Sequence, residues 1–352
     1  MPLRYRGTGS FMNTNRIYSN ILLIKPGAIG DLLELTPVIK ALANRYRGAR
    51  ISLLVGTRDT ATLFQHNPHV SEVLVFDRRG EHKTLLSLLK FWARLHRKKY
   101  DLVIHFQRSN VKAWILASAA FPCRVLVYHK SRKTDVHVLD NYLDTIAPLG
   151  IHEQYRRLEL YTGREDDTYA DDLFSREGFS SGVIIALNPG ASNAVKLWSI
   201  GQFTELADAL AETVSAKIII VGGKEDAALA ASIARNTKKV RPLMLAGKTT
   251  LLQLGSILRK CDLLVSGDTG PLHLATAVGT PVVGLYGSVD PARTGPVGPG
   301  HRVLQAKGVP CVPCRSLTCA NSVHLECMNK ITVQEVLAVV LDMLKVASPG
   351  RV

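Results

Sequence analysis

The chain has no long apolar run. Among its 352 residues, no stretch approaches the roughly 18 consecutive apolar residues that indicate a membrane-spanning helix. Residues 1–20 are polar and basic and lack the apolar centre of a secretory signal peptide, and Met12 is an alternative start. We therefore expect a globular cytoplasmic protein in which residues 1–20 form a disordered basic extension.

Aromatic residues are scarce, and one glycine motif is incomplete. Phe, Trp and Tyr make up 6% of the chain and do not alternate with basic residues in a recognisable nucleic-acid-binding motif. Gly27 and Gly30 follow an apolar segment but lack the third glycine of a dinucleotide-binding fingerprint. These absences argue against a bound NAD, and a nucleic-acid-binding module remains only as the non-enzyme alternative.

The chain has only six cysteines. Cys123 and Cys261 are isolated in the sequence, and the simplest interpretation is that both are buried thiols. The other four fall within a cysteine-rich segment, 311–327: Cys311, Cys314, Cys319 and Cys327. Their spacing suits a structural zinc ion or an iron–sulfur cluster, while reduced thiols and disulfides are the alternatives.

Positive charge is concentrated in the first half of the chain. Residues 1–165 contain 26 Lys and Arg against 13 Asp and Glu, whereas residues 166–352 contain 18 against 16. Nearly all of the formal net charge of +15 therefore belongs to the first half. This asymmetry indicates either a solvated basic surface or a first domain that faces an anionic partner.

Residues 84–99 have the pattern of an amphipathic helix. Five apolar residues at helical spacing form a stripe that we expect to face the core: Leu85, Leu88, Leu89, Trp92 and Leu95. The basic residues lie opposite this stripe: Lys90, Arg94, Arg97 and Lys98. Contact with an anionic membrane surface is the alternative role of this helix.

Short apolar segments alternate with helical patterns along the chain, which predicts an α/β fold. The first series of predicted strands is 21–24, 51–55, 73–76, 102–106 and 124–128. The second is 183–187, 217–221, 243–245, 263–265 and 282–286. The charged segment 159–172 separates the two series and is interpreted as a linker. We thus expect two Rossmann-like domains, 21–165 and 166–352, facing each other across a cleft.

Two helix starts in the second half are especially informative. Residues 263–265 form an apolar strand that passes through Ser266–His273 (SGDTGPLH) into a helix, which predicts a helix N-terminus with free backbone N–H groups. Such a terminus favours the oxygens of a diphosphate. The final predicted helix, 332–346, begins with a capping box made of Thr332 and Glu335.

Several motifs occur in a fixed order along the chain. They are Ile21–Asp31 (ILLIKPGAIGD), Tyr100–Ile104 (YDLVI), Asn188–Trp198 (NPGASNAVKLW), Val221–Glu225 (VGGKE), Ser266–His273, and Tyr286–Pro291 (YGSVDP). Read together, from residue 21 to about residue 345, the chain resembles the ADP-heptose:lipopolysaccharide heptosyltransferase family, the ninth glycosyltransferase family. The block beginning at Ser266 is the longest and the most specific of these motifs.

This resemblance implies a GT-B fold and an inverting glycosyltransferase that requires no metal for catalysis. It implies ADP-L-glycero-β-D-manno-heptose as the donor and an anionic lipid A–Kdo acceptor in the lipopolysaccharide inner core. It also implies peripheral contact with the cytoplasmic face of the inner membrane, and no nucleic acid. Another nucleotide sugar as the donor, or a sugar-nucleotide 2-epimerase, are the enzymatic alternatives.

The resemblance also implies roles for individual residues. Asp31 matches the base that deprotonates the acceptor, although a plain helix cap is the alternative. Lys196 matches the cation that pairs with the donor phosphates. The remaining donor-binding residues implied by the resemblance are Ser192, Glu225, Asp268, Thr269, Gly270 and His273.

Among these donor-binding residues, Thr269 and Gly270 are expected to meet phosphate and Asp268 the heptose hydroxyls. Ser192 is expected to meet phosphate as well, and Glu225 the ribose or adenine. His273 supports the loop or is simply a packed helix histidine. His105 departs from the family pattern, because many relatives carry an acid there.

Overall fold

The structure is a computed structural model, and it describes residues 16–77, 80–107, 118–129, 135–153 and 155–347. Most of the predicted basic extension, residues 1–15, lies outside these described residues. Asn20, the last residue of the predicted extension, already belongs to the first strand. Within the described part of the chain, no helix combines the length and apolar character required to cross a bilayer.

The first sheet is parallel and has five strands in the order β3-β2-β1-β4-β5. Its elements are β1 (Asn20–Ile24), α1 (Ile29–Leu33), α2 (Thr36–Arg45), β2 (Arg50–Val55), α3 (Arg58–Thr62), β3 (Glu72–Val75), α4 (Leu85–Arg97), β4 (Leu102–His105), β5 (Arg124–Val127) and α5 (Val138–Ile146). In the central strand, Ile21 pairs with Ile51 on one side and Leu102 on the other.

The second sheet is also parallel, with six strands in the order β11-β10-β9-β6-β7-β8. Its elements are α6 (Arg164–Arg176), β6 (Ile184–Asn188), α7 (Ile200–Val214), β7 (Lys217–Ile220), α8 (Ala227–Asn236), β8 (Leu243–Met244), α9 (Leu251–Arg259), β9 (Leu263–Gly267), α10 (Gly270–Val278), β10 (Val282–Tyr286), α11 (Pro291–Thr294), β11 (Arg302–Gln305), α12 (Glu326–Asn329) and α13 (Val333–Ala347).

The predicted α/β fold with two parallel sheets is confirmed. All ten predicted strands are present, with ends that shift by one or two residues. Strands such as β1 and β6 are nearly continuous apolar segments because helices cover both faces of a parallel sheet. The predicted capping box is also present, since the Glu335 carboxylate accepts the Thr332 N–H at 2.9 Å and the Thr332 hydroxyl accepts the Glu335 N–H at 3.2 Å.

The interpretation of 159–172 as a linker is wrong from Arg164 onward. That residue begins the helix α6, whose N-terminal turn carries three acidic residues that favour the positive end of the helix dipole. The apolar residues that anchor α6, including Leu173 and Phe174, come only in its second half. Strand β11 was not predicted, because its half-exposed sequence, Arg302–Gln305, lacks a buried apolar pattern at the sheet edge.

The expected apolar stripe of α4 is also partly wrong. Phe91 and Leu95 are the buried residues of this helix. Leu85 and Leu89, which were expected to face the core, are 73% and 57% exposed. The periodicity identified the helix correctly but not the side that the sheet covers.

The two domains share one apolar core. Helix α1 of the first domain packs against α10 of the second. The same cluster of buried residues contains Leu32 and Leu33 from α1, Leu272 and Leu274 from α10, and Tyr286 from β10. Because ligands of parallel sheets bind at the carboxyl ends of the strands, the loops after β1, β6 and β9 are where a site is expected.

Candidate active site

Asp31 lies at the start of α1, in the loop that follows β1. Its carboxylate Oδ2 accepts the N–H of the N-cap residue Ala28 at 3.1 Å, so it does act as a helix cap. The side chain is nevertheless 38% exposed, and its other contacts go beyond capping. The structural and the functional interpretations of Asp31 are therefore compatible.

Two side chains hold the Asp31 carboxylate from the protein side. Lys25 Nζ lies 3.1 Å from Oδ2, and the Tyr142 hydroxyl donates to Oδ1 at 3.1 Å. Lys25 is buried and also lies over the Tyr142 ring, 5.4 Å from its centroid. Burial, together with the negative charge of Asp31, raises the pKa of Tyr142, so its hydroxyl stays protonated and donates. The carboxylate is thus fixed in direction while one side remains open to solvent.

Lys196 and Asp268 form an ion pair in the second domain. Lys196 lies in a short 3-10 turn, Ala194–Lys196, and its Nζ donates to Asp268 Oδ2 at 2.6 Å. Burial alone would raise the pKa of Asp268, but the neighbouring side chains of His273 and Lys196 outweigh it and lower the pKa to about 2. Asp268 is consequently ionised throughout the physiological range.

His273 joins this pair to the first domain. Its Nε2 lies 3.8 Å from Asp268 Oδ1, and its Nδ1 lies 3.9 Å from Oε1 of Glu34. The ring fills the space beside Gly30, where a Cβ atom would come within 2.5 Å of the His273 Cδ2. This close approach explains why the turn before Asp31 carries a glycine.

Glu34 is a charged side chain in an apolar setting. It is 2% exposed, and burial raises its pKa to about 7. Burial lowers the pKa of His273, but the carboxylates of Asp268 and Glu34 raise it by more. Among the described residues, Glu34 Oε1 and His273 Nδ1 have no hydrogen-bond partner. The two atoms therefore interact across the domain boundary by charge alone.

The loop between β9 and α10 is closed by its own side chains. The amide of Asn188, at the end of β6, donates to the Thr269 hydroxyl at 2.8 Å and to Ser266 at 2.9 Å. Thr269 is the N-cap of α10 but makes no side-chain capping bond. Its hydroxyl is thus engaged within the protein, by Asn188 and Ser266.

Ser192 and Glu225 are exposed on the loops after β6 and β7. Between these loops lies Asp226, which was not predicted as a site residue. Its carboxylate accepts the Gly223 N–H at 2.8 Å and occupies the space beside Gly190, where a Cβ atom would clash with it. Partial burial raises the pKa of Asp226. Asp226 therefore fills the space between the loop after β6 and the loop after β7.

His105, which the resemblance marks as a departure from the family pattern, is buried at the end of β4. Burial lowers its pKa, and the nearby charge of Lys25 lowers it further. Its Nδ1 accepts the Gln107 N–H at 3.2 Å. The imidazole is therefore neutral and supports the loop as a hydrogen-bond acceptor.

The cysteine-rich segment contains two exposed thiols, Cys311 and Cys314, and one half-buried thiol, Cys319. Cys327 is buried in α12, and burial together with the neighbouring thiols raises its pKa. Their sulfur atoms are not gathered as closely as those of a preformed metal site. Within the described residues, the set whose ligand atoms lie within 4.8 Å of one another is His66, Glu165 and Asp166.

Of the two isolated cysteines, Cys261 is buried as predicted. The prediction for Cys123 is wrong, because this residue at the end of a surface loop is only half-buried.

Five residues at the site were not found from the sequence: Lys25, Glu34, Tyr142, Asn188 and Asp226. Lys25 and Asn188 stand inside motifs that were recognised, Lys25 directly after β1 and Asn188 as the last residue of β6. Glu34 was detectable as an acid in the otherwise apolar segment between α1 and α2. Tyr142 had no such signal, because its contact with Asp31 joins residues 111 positions apart.

Residues 88–324 match the family model described as glycosyltransferase family 9 (heptosyltransferase). The chain is 27% identical over 287 residues to lipopolysaccharide heptosyltransferase 3 of Escherichia coli K12, covering 74% of this chain and 80% of that protein.

Two solved structures share the architecture. A family 9 glycosyl transferase from Veillonella parvula superposes with a TM-score of 0.81 at 22% identity, covering 93% of this chain and 97% of that one. The Escherichia coli heptosyltransferase WaaC with ADP gives 0.69 at 18% identity, covering 92% and 99%. At these identities the likeness establishes the fold, and the predicted GT-B arrangement is confirmed.

Proposed function

Since the chain belongs to glycosyltransferase family 9 (heptosyltransferase), we propose that it transfers heptose from ADP-L-glycero-β-D-manno-heptose to the lipopolysaccharide inner core. One observation carries this proposal. Asp31 of the first domain, and Asp268 of the second with its partner Lys196, both lie near one gap between the domains, because Asp31 and Asp268 both act by charge on Glu34 and His273. The contact of Glu34 with His273 bridges that gap.

On the donor side, the diphosphate binds against the start of α10. Lys196 has three N–H donors, so one can remain on Asp268 while another reaches a phosphate oxygen. The N–H of Gly270 and the helix dipole add further stabilisation. Asp268 is ionised and would repel phosphate, so it accepts hydrogen bonds from the heptose hydroxyls. Lys196 also stabilises the charge that develops on the departing ADP.

The remainder of the nucleotide extends along the carboxyl edge of the second sheet. Ser192 is exposed beside the Lys196 turn and is suited to donate to a phosphate oxygen. Glu225 is exposed on the next loop and is suited to accept from the ribose hydroxyls or the adenine amine. Asp226 fills the space between the loops that carry them.

On the acceptor side, Asp31 takes the proton of the attacking hydroxyl. The acceptor oxygen forms the new bond to the anomeric carbon, and the bond from that carbon to the β-phosphate oxygen breaks, with its electron pair leaving on ADP. Attack on the face opposite the departing ADP inverts the configuration. Lys25 and Tyr142 hold the Asp31 carboxylate in a direction suited to this proton transfer.

The acceptor we propose is an anionic lipid A–Kdo molecule at the cytoplasmic face of the inner membrane. The first half of the chain supports this choice, because it carries 26 basic residues against 13 acidic ones in residues 1–165. Phosphates and carboxylates of such an acceptor are attracted to this surface. The second half has almost balanced charge and serves the nucleotide sugar instead.

We propose in addition that the segment 311–327 holds a structural zinc ion or iron–sulfur cluster. Four thiols on one segment are a suitable donor set for either. The three other thiols help to raise the pKa of Cys327, and a bound cation would reverse that effect. Closure around a metal requires the segment to contract. The bound group would tie the chain after β11 to α12 and takes no part in the transfer.

The test compares variants by heptose transfer and by donor binding. Asp31→Ala should lower the turnover number about 10³-fold while the donor Kd changes less than about twofold, because a base acts only on the acceptor. Lys196→Ala should weaken both donor binding and transfer. Asp31→Asn separates the base from the helix cap, because it retains a capping oxygen.

Two variants serve as matched controls for this test. Asp144→Asn changes an exposed acid on α5, and Lys239→Ala changes an exposed lysine that pairs with Glu212 at 2.7 Å. Wild-type turnover in Asp31→Ala would exclude Asp31 as the base. Conversion of the donor alone, with no acceptor present, would instead identify a 2-epimerase.

A further inference from the structure

Helix α4 leaves three leucines uncovered at the surface of the first domain. Leu85, Leu86 and Leu89 are 73%, 63% and 57% exposed, whereas the same helix buries Phe91 and Leu95. Single exposed leucines are ordinary on a protein surface. Three of them within two turns of one helix form an apolar patch, here called the leucine patch, which marks an interaction surface.

Basic residues continue the exposed face of this helix. Residues 83–99 include six Lys and Arg and no Asp or Glu. With 3.6 residues per turn, Lys90 and Arg97 lie about 40° and about 20° from Leu86 around the helix, at the edge of the leucine patch that Leu86 forms. Both are exposed. The face therefore combines apolar side chains at its N-terminal end with positive charge along its length.

Residues 118–121 pack against α4 and add a further exposed apolar side chain to this domain. Trp92 donates to the Ser118 hydroxyl at 3.3 Å, and His96 contacts the carbonyl of Ala119 at 3.0 Å. These contacts fix the segment against the flank of α4 that also carries Leu85 and Leu89. Phe121, which follows directly, is 52% exposed. The segment that packs along α4 thus carries an exposed aromatic side chain.

We propose that α4 docks the protein on an anionic phospholipid bilayer, with the leucine patch inserted at the acyl-chain boundary and Lys90 and Arg97 on lipid phosphates. A helix with one apolar flank and one basic flank is the form that lies in a membrane interface. This inference rests on the proposed function, since a lipid-linked acceptor places the enzyme at a bilayer.

Charge argues against a second copy of this chain as the occupant. A symmetric dimer would bring two identical faces together, each with basic residues and without acidic ones between residues 83 and 99. Like charges opposed across an interface disfavour such a pair. An anionic lipid surface satisfies both the leucines and the basic side chains.

The experiment measures co-sedimentation of the full chain with vesicles of phosphatidylcholine, with or without phosphatidylglycerol. The wild type should bind the anionic vesicles. Leu85→Ser with Leu89→Ser should lower the partition coefficient at least about tenfold, and Lys90→Glu about fivefold or more. Leu317→Ser is the matched control, because Leu317 is 78% exposed in the second domain. It should bind like the wild type.

Transfer assays separate this inference from the proposed function. With a deacylated, water-soluble acceptor, the double leucine variant should turn over at the wild-type rate, and with acceptor in vesicles it should be slower. Equal vesicle binding by the wild type and the leucine variant would overturn the inference, as would a dimer in light scattering that the variant abolishes. If the wild type bound anionic vesicles but transferred heptose to neither acceptor, the proposed function would be refuted and the docking of α4 would not.

Discussion

The buried carboxylate of Glu34 makes the stability of the protein depend on pH in a definite direction. Its pKa is raised from 4.5 to about 7 by burial. An acid whose pKa is higher in the folded state binds more protons when folded, so its contribution favours folding least at high pH. The free energy of unfolding should therefore fall as pH rises from about 4.5 and should level off above 7.

The size of this effect follows from the shift. Each unit of pKa corresponds to about 1.4 kcal/mol, so ionised Glu34 costs about 3 kcal/mol of stability at pH 8. Glu34→Gln keeps the shape and removes the charge. We expect the variant to match the wild type near pH 5 and to be more stable by up to about 3 kcal/mol at pH 8. His273 adds to the trend, because its raised pKa also makes stability fall with rising pH.

The assay is denaturant unfolding of the two proteins at pH 5 and pH 8, followed by tryptophan fluorescence. Glu72→Gln is the matched control, because Glu72 lies on β3 and pairs with Lys98 outside the cleft. This control should gain no stability at pH 8. If Glu34→Gln gained the same stability at both pH values, or none at pH 8, the account of a buried, ionising Glu34 would be refuted. Transfer activity should fall in Glu34→Gln even as stability rises, because His273 loses its charged partner.

Two further predictions concern the contact at Gly30 and the cysteine-rich segment. Gly30→Ala places a Cβ atom 2.5 Å from the His273 ring. Because this clash pushes the two domains apart, the rate of heptose transfer should fall at least about tenfold. A wild-type rate would contradict the close approach of Gly30 to His273. Protein purified without chelator should contain about one bound zinc ion or one iron–sulfur cluster per chain, and the Cys327→Ser variant should lose the bound metal. Metal analysis checks this, and less than about a tenth of an equivalent in the wild type would exclude the metal.

The sequence predicted the parts of the fold that depend on local pattern. Strands buried on both faces, such as β1 and β6, are visible as apolar segments, and the Thr332 cap is visible as a spacing. The exposed leucines of α4 were misplaced, because helical periodicity does not reveal which side the sheet covers. The start of α6 was missed for a related reason, since its first turn is acidic and its apolar anchors come later.

The candidate site was predictable only in part. Asp31, Lys196 and Asp268 stand in motifs that the chain displays in order. Their mutual arrangement depends on contacts between distant residues, such as Glu34 with His273, and no local pattern encodes such pairs. The roles of the predicted site residues remain predictions until the variants described above are measured.

The shared interior of the two domains limits how the protein can be rebuilt. Because α1 and α10 contribute to a single cluster of buried side chains, either half would expose apolar side chains to water if it were separated from the other. A chimaera that takes its acceptor half from one homologue and its nucleotide half from another must therefore exchange the facing sides of both helices together. Substrate preferences in such proteins are better altered through the loops, which leave that common interior intact.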